Sequence, residues 1–221
     1  MLNSHGISAA RENTFIPAMH FRILTPLYEA LVWPFMGRTW KRVAEEVSHR
    51  TPEGGCVVDL GCGPGNVLRC IRRLRPDVHL TGMDIDPEII KIAQRRSRNK
   101  NISFRVASIG DTCLPDASTD VVVSTLMFHH LSTETKKAAF KEARRILKSS
   151  GVFLLCDFSL PTKERWWLNV RWWKRFEPEI EPQLDGQLIE LGKQEHAHAE
   201  TLFSVYGCIS LHAFTFKKAD S

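Results

Sequence analysis

The chain has 221 residues, of which 43% are hydrophobic and 25% are charged, and this is enough for one α/β domain with its own core. No run of 18 apolar residues occurs, and the N-terminal residues lack the basic and apolar regions of a secretory signal, so neither a transmembrane helix nor secretion is expected. The six cysteines form no Cys-x-x-Cys pair, which argues against a zinc site and fits a protein of the reducing cytoplasm.

Basic residues exceed acidic residues and give a formal net charge of +5, with clusters at 69–75 and 95–100. In both clusters the basic residues alternate with apolar residues at helical spacing, which predicts the solvated faces of two helices. The same charge would suit a nucleic-acid partner, but the sequence alone does not lead us to expect one.

Strands and helices are predicted to alternate through the middle of the chain, which favours a doubly wound, mostly parallel sheet. Residues 26–50 are predicted to be helical, with a break near residues 34–37. Strands are then predicted at 56–60, 78–84, 102–107, 120–125 and 152–157, helices at 65–75, 87–98 and 134–149, and a loop at 108–118. Beyond residue 159 we predict a loop at 177–183, a helix at 184–192 and two β segments within 199–216 that turn at Gly207.

The most informative segment is 57–68, where a β-branched strand ends in an acid and a glycine-rich turn leads into a helix. Such a strand, turn and helix N-terminus make room for a nucleotide-like ligand in α/β sheets. Dinucleotide enzymes space their glycines as G-x-G-x-x-G, whereas this chain has D-x-G-x-G-x-G, with Asp59 before Gly61, Gly63 and Gly65. An acid at this position would repel a pyrophosphate but suit an ammonium group. The pattern therefore indicates a nucleoside that carries an amino acid.

The segment Asp-Leu-Gly-Cys-Gly-Pro-Gly at 59–65 resembles the first motif of the class I S-adenosylmethionine-dependent methyltransferases, and the resemblance extends over roughly residues 20–160. It implies a Rossmann-like, seven-stranded, mostly parallel sheet with an antiparallel last strand and helices on both faces. It also implies a helical lid at 1–50, a methyltransferase domain at 51–221, S-adenosyl-L-methionine as cofactor, S-adenosyl-L-homocysteine as product, and no metal.

The resemblance places most of the expected functional residues around the cofactor. Asp59 would face the amino group, and Asp84, which lies 19 residues after Gly65, would accept hydrogen bonds from the ribose hydroxyls. Asp86 suits the N-cap of the next helix better. The expected cofactor contacts are Asp59, Gly61, Cys62, Gly63, Gly65, Asn66, Asp84, Ile85, Ser108, Ile109 and Tyr28.

The adenine contact is the point at which the chain departs from the family pattern. The family usually has Gly-Asp-Ala after the third strand, whereas this chain has Ala-Ser-Ile at 107–109. Ser108 would then replace the acid, and Asp111 is the alternative if the loop is shifted by three residues. We prefer Ser108.

Three residues are candidates for the acceptor side of the site. His129 or His130, after the fourth strand, would act as a general base or shape the acceptor pocket, with His130 preferred. The alternative for one of them is packing against, or capping, the next helix. Asp157, at the end of the fifth strand, would face the acceptor or anchor a loop. Glu142, Arg145 and Asp120 are predicted to be structural.

Two further segments are candidates for contact with the acceptor. Residues 24–29 and 36–42 resemble the ubiquinone/menaquinone C-methyltransferase branch, in which Tyr28 would touch the cofactor or the acceptor, or pack in a helix core. The tryptophans between Trp166 and Trp173 would form an acceptor wall, a peripheral membrane contact, or a packing and dimer surface.

Taken together, these features predict a methyltransferase that moves a methyl group, by in-line displacement, to a small hydrophobic or aromatic acceptor. The alternatives are an RNA or protein methyltransferase, and a protein that binds the cofactor without turnover. A homodimer is compatible with the sequence.

Overall fold

The structure, a computed structural model, describes the backbone of residues 25–98, 100–161 and 180–216 and the side chains of 36–98, 100–161, 180 and 182–216. In these residues the helices are α1 (Thr25–Arg50), α2 (Asn66–Leu74), α3 (Pro87–Arg96), α4 (Thr133–Ile146), α5 (Glu181–Leu184) and α6 (Gln187–Gln194), with a 3₁₀ turn at Phe128–His130. The strands are β1 (Cys56–Leu60), β2 (His79–Asp84), β3 (Ile102–Val106), β4 (Thr119–Thr125), β5 (Leu147–Phe158), β6 (Ala197–Val205) and β7 (Ile209–Phe216).

The seven strands form one sheet in the order β3-β2-β1-β4-β5-β7-β6. Strands β1 to β5 are parallel, and β7 is antiparallel to both of its neighbours. This confirms the predicted Rossmann-like sheet with an antiparallel last strand. The chain order reverses between β1 and β4, and ligands of open α/β sheets bind at the carboxyl ends of the strands at such a switch point.

Two apolar cores cover the two faces of the sheet. On one face, α1, α2 and α3 bury residues such as Val43, Ile71 and Ile90 against the strands. On the other face, α4 and α6 bury residues such as Phe140 and Leu191. The site at the carboxyl edge of β1 and β4 therefore lies between two packed helix layers. No helix in the described part of the chain has both the length and the apolar character needed to cross a bilayer.

Helix α1 is continuous, so the predicted break near residues 34–37 is wrong. Pro34 removes one backbone donor, a change that normally costs a helix interior about 3 kcal/mol. The following turns bury Met36, Val43 and Val47, which are all less than 2% exposed. We infer that this packing offsets the cost, since most helix stability in proteins comes from tertiary contacts.

Two other boundaries differ from prediction. Helix α4 ends at Ile146, three residues early, because Leu147 already pairs with Thr119 across a register shift between β4 and β5. The predicted loop at 177–183 overlaps α5, and its residues before 180 lie outside the described residues. The predicted turn between the last strands is confirmed, and Gly207 has a positive φ of 74°.

Two arginines of the 69–75 cluster tie the backbone together. Arg72 donates to the carbonyl oxygens of Pro76 and Val78, both at 2.7 Å, and of Asn101 at 2.9 Å. Arg75 donates to the carbonyl oxygens of the segment that joins α1 to β1, namely those of Ser48, Thr51 and Pro52. These two side chains are therefore part of the scaffold.

Glu142 and Arg145 also have the predicted structural role. The buried Glu142 carboxylate accepts hydrogen bonds from the backbone N–H and the hydroxyl of Thr112, and Arg145 donates to both of its oxygens. Arg145 also donates to the carbonyl oxygen of Leu114, which fastens the loop after β3 to α4. Asp120 accepts from the N–H of Cys56 and from Lys148, and so it is structural too.

We expect Glu142→Gln to lower the free energy of unfolding at pH 7 by roughly 2 kcal/mol, because a buried charged acceptor is lost. The Arg145 guanidinium, against the effect of burial, holds the pKa of Glu142 at about 2, below its ordinary value of 4.5. The stabilisation is thus complete above pH 4.5 and is lost as the pH falls towards 2. Urea denaturation at neutral and acid pH measures this, with the exposed Glu45→Gln as control. An equal deficit at both pH values would contradict the assignment.

Candidate functional site

The glycine-rich turn after β1 lies against the end of β2. The N–H groups of Gly61 and Cys62 both donate to the carbonyl oxygen of Met83, at 2.8 Å and 2.9 Å. Gly61 has a φ of 71°, and a Cβ there would lie 2.6 Å from the methyl carbon of Met127. A side chain at position 61 would therefore displace the segment that follows β4.

The next part of the turn is open. Gly63 has a φ of 51°, and no heavy atom lies within 4 Å of the position that its Cβ would take. Its N–H donates to Oδ2 of Asp84 at 3.0 Å. Gly65, with a φ of 76°, is the N-cap of α2. The turn thus leaves free space for a ligand beside bare backbone at the N-terminus of a helix.

Two acids at this turn, Asp59 and Asp84, differ in their burial and in their hydrogen-bond partners. Asp59 is 2% exposed, and its Oδ1 has no hydrogen-bond partner among the described residues. Burial, and then the negative charge of Asp84, raise the pKa of Asp59 to about 8. Asp84 is half-buried, and its carboxylate accepts the N–H groups of Gly63 and Asp86. A buried, unpartnered carboxyl group is costly unless a cation or a donor joins it, and an ammonium group fits this requirement.

The rim of the site follows the ends of β2 and β3. Ile85 is 45% exposed and Val106 is 55% exposed, so both present apolar surface to solvent at this edge. Asp86 caps α3, as predicted, by accepting the Glu88 N–H at 2.8 Å. Asn66 lies in the first turn of α2, where its side-chain oxygen accepts a hydrogen bond from Arg69.

The two candidates for the adenine contact lie in one tight turn. Asp111 donates its N–H to the carbonyl oxygen of Ser108, and the Ser108 hydroxyl accepts the N–H of Gly110. The Asp111 carboxylate accepts the N–H of Cys113. Both candidate residues are exposed and Ile109 is half-buried against the second core, so the choice between Ser108 and Asp111 stays a prediction.

Asp157 organises the segment between β4 and α4. It is fully buried, and its Oδ2 accepts the backbone N–H groups of Met127, Phe128 and His129. Its Oδ1 lies 2.8 Å from Nδ1 of His129. Burial alone would raise the pKa of Asp157, but the charge and hydrogen bond of His129 hold it below its ordinary value. This geometry favours the loop-anchoring alternative for Asp157.

The rings of the two histidines are in contact and are tilted by 45° to each other. Their ring centroids are 3.9 Å apart, and the His129 ring also meets the Phe158 ring edge-on at 5.0 Å. His129 is 4% exposed, whereas His130 is half-buried and is the more accessible of the two. The structure thus supports a packing role for His129 and leaves His130 closer to solvent.

Lys136 was missed by sequence reasoning. It is 3% exposed and donates to the side-chain oxygen of Gln187 at 2.8 Å, which joins α4 to α6. Burial lowers the pKa of Lys136, and the negative charge of Asp157 opposes that effect. The available signal was its position three and four residues before Ala139 and Phe140, on the buried face of α4.

Two predictions concern residues about which the structure gives no side-chain information. Tyr28 belongs to the backbone of α1, but its side chain lies outside the described residues. The tryptophans between 166 and 173 fall in the segment 162–179, which also lies outside them.

Comparison with known proteins finds a family that matches the middle of the chain. Residues 57–151 match the family described as "Methyltransferase domain". The chain is 33% identical over 125 residues to a protein from Tropheryma whipplei (strain Twist) named demethylmenaquinone methyltransferase, and the match covers 56% of this chain and 50% of that one. It is 28% identical over 135 residues to a mouse (Mus musculus) protein named "Probable tRNA methyltransferase 9B", covering 58% of this chain and 27% of that one. The chain thus spans about half the length, or less, of these curated relatives.

The fold of the chain also resembles that of solved methyltransferase structures. It resembles the structure of a candidate S-adenosyl-L-methionine-dependent methyltransferase from Methanococcus maripaludis with a TM-score of 0.68, over 88% of this chain and 93% of that one, at 17% identity. At this level of identity the likeness concerns the fold. Residues 57–151 thus match a methyltransferase domain, and the sheet that contains them has the Rossmann-like fold of known S-adenosyl-L-methionine-dependent methyltransferases.

Proposed function

We propose that this protein transfers the methyl group of S-adenosyl-L-methionine to a small hydrophobic or aromatic acceptor. The single observation that carries the cofactor part of the proposal is the buried, unpartnered Oδ1 of Asp59 beside an open glycine turn. The bound cofactor would supply a methyl group that its sulfonium sulfur has already activated. The residues of the chain then have to bind it, orient it and exclude water.

Each cofactor residue has a proposed task. The Asp59 carboxylate accepts the ammonium group of the ligand, and the open backbone at Gly63 lies against its methionyl part. The Asp84 carboxylate accepts the ribose hydroxyls, although it already holds two N–H groups of the turn. Ile85 supports the adenine ring from the exposed rim.

The second part of the proposal concerns the acceptor. A relative named demethylmenaquinone methyltransferase favours an aromatic ring as acceptor. The tryptophans between 166 and 173 would supply an apolar wall or a peripheral membrane contact, and the segment 1–50 would act as a lid. His130 is the proposed residue on the acceptor side, and Asp157 is a positioning residue that fixes the segment carrying it. A homodimer belongs to the same proposal.

RNA is the second candidate acceptor. The observation that favours it is the match to the relative named "Probable tRNA methyltransferase 9B". The chain lacks the Asn/Asp-Pro-Pro-Tyr/Phe signature of amino-group nucleic-acid methyltransferases and a Pro-Cys nucleophile, which favours the small acceptor.

Calorimetric titration with S-adenosylmethionine, S-adenosylhomocysteine and NAD tests the cofactor. We expect micromolar binding of the first two and none of NAD. Transfer from tritium-labelled S-adenosylmethionine to a panel of quinols, phenols and RNA then identifies the acceptor. Binding of NAD alone would refute the proposal, and cofactor binding without transfer to any panel member would favour a protein without turnover.

We expect the affinity for S-adenosylmethionine to rise between about pH 6 and pH 8. The carboxyl group of Asp59, with its pKa raised to about 8, is protonated in the lower part of this range and must release its proton to accept an ammonium group. The range stops near pH 8 because the ligand's own amino group titrates there. Calorimetry in buffers of different ionisation enthalpy measures the released proton.

The Asp59→Asn variant is the control for this pH dependence. We expect it to bind S-adenosylmethionine roughly 10- to 100-fold more weakly, the loss typical of a charge-assisted hydrogen bond, and without the rise. An unchanged pH profile in the variant would assign the dependence to another group.

We expect Asp84→Ala to weaken the binding of both S-adenosylmethionine and 5′-methylthioadenosine by about 1–3 kcal/mol, because both ligands carry the ribose. Asp59→Asn should weaken only the first ligand, since the second lacks the amino acid. Asp86→Ala is the matched control, which loses an N-cap worth about 1 kcal/mol of stability but leaves both affinities unchanged. If Asp84→Ala left the affinities intact, the ribose contact would lie elsewhere.

Once an acceptor is found, we expect His130→Ala to lower the turnover number by about 100-fold or more, the range typical of a lost general base. The dissociation constant of S-adenosylmethionine should stay the same. His49→Ala, on the exposed surface of α1, is the control. An unchanged turnover number would leave His130 with a packing role.

A further inference from the structure

The excess positive charge of the chain lies in one segment. Residues 66–100 contain nine of the 30 Lys and Arg residues and four of the 25 Asp and Glu residues, so 21 of each sign remain elsewhere. This segment forms α2, β2 and α3, on the side of the sheet that ends at β3. The rest of the chain is formally neutral.

Four cations of this layer lie near the thiol of Cys70. Burial raises the pKa of the half-buried Cys70 thiol, and the positive charges of Arg73, Arg69, Lys41 and Lys100 all act against that rise. The hydrogen bond from Arg72 to the carbonyl oxygen of Asn101, the residue after Lys100, ties α2 to the segment between α3 and β3. We define the basic face by the residues that share this layer: Lys41, Arg69, Arg73, Arg95, Arg98 and Lys100.

Four cations of the basic face are not neutralised by an acidic side chain of the described residues. Arg73, Arg95, Arg98 and Lys100 have no carboxylate partner among the described residues, and Arg73, Arg95 and Arg98 are exposed. The acids of the segment are engaged elsewhere: Asp77 by Arg75, Glu88 by Lys91, Asp86 as the cap of α3, and Asp84 at the turn.

We propose that the basic face binds RNA through its phosphate backbone. A polymer with a phosphate at every nucleotide matches a surface on which several arginines are exposed. The inference goes beyond the proposed methyl transfer, and it rests on the second candidate acceptor only for the choice of RNA over DNA. RNA bound here need not carry the acceptor atom.

The position of the basic face favours a polymer over a membrane. Helices α2 and α3 start at the carboxyl edge of the sheet, and their basic ends lie about 15 Å away, the length of ten helical residues. A planar membrane on this face would leave the mouth of the site outside the contact. A nucleic-acid strand can follow the face and still reach round to the site.

The test measures the fluorescence anisotropy of a labelled 24-nucleotide RNA stem-loop between about 50 and 200 mM KCl. We expect the affinity of the wild-type protein to fall steeply with salt. The triple variant Arg73→Glu, Arg95→Glu, Lys100→Glu should bind at least about tenfold more weakly, and its log–log salt slope should be smaller by about two to three, since each lost phosphate contact removes about 0.9.

A matched control carries the same change of charge on the opposite layer: Lys137→Glu, Lys141→Glu, Lys193→Glu, on α4 and α6. We expect this variant to bind RNA within about threefold of the wild type. Both variants should keep the wild-type affinity for S-adenosylmethionine, which separates a failure of the basic face from a failure of the proposed function.

Four results would overturn the proposal. The first is no RNA binding by the wild-type protein, and the second is an equal loss in both variants, which would reflect net charge alone. The third is equal binding of a DNA stem-loop of the same sequence, which would show that the basic face does not distinguish RNA from DNA. The fourth is co-sedimentation with phosphatidylcholine–phosphatidylglycerol vesicles, abolished by the basic-face variant, without RNA binding, which would assign the face to a membrane.

Discussion

The site depends on the hydrogen bonds that fix the turn after β1 to the end of β2. One carbonyl oxygen, that of Met83, accepts two consecutive N–H groups, and the neighbouring carboxylate of Asp84 accepts a third. These bonds hold the glycines in left-handed conformations and bring the segment after β4 against Gly61. They also leave Asp59 buried beneath the turn with an oxygen that no described residue satisfies. This oxygen of Asp59 is therefore available to accept a hydrogen bond from a ligand.

Asp157 and Asp59 are both buried at the site, but their carboxyl groups have different roles. Asp157 is fully supplied with donors, three backbone N–H groups on one oxygen and His129 on the other, and its pKa is held low. Asp59 lacks a donor on Oδ1, and its pKa is raised. A saturated buried carboxylate stabilises a loop, whereas an unsaturated one at an open turn is suited to recognition. Their environments separate these roles, although both residues end a strand of the same sheet.

The sequence predicted most of the fold, because its signals were local. Alternating apolar runs located the strands, Asp86 and Pro87 located a helix start, and Gly207 located the last turn. Signals that depend on tertiary packing were misjudged or missed. The break expected in α1 ignored the burial that follows Pro34, and the buried Lys136 was not singled out. The cofactor turn could be predicted from its glycines, whereas the choice between Ser108 and Asp111 depends on loop geometry that no local pattern encodes.

The ties made by Arg75 limit how the N-terminal helix can move. Its guanidinium fixes the carbonyl oxygens of Ser48, Thr51 and Pro52, and one face of α1 buries Met36, Val43 and Val47. The carboxyl half of α1 is therefore clamped to α2 and cannot swing as a rigid rod. Opening and closing of the segment before it would have to bend the chain near Pro34, where one backbone hydrogen bond is already missing. Pro34 does not break α1, but it would then be the point at which the described part of this helix bends.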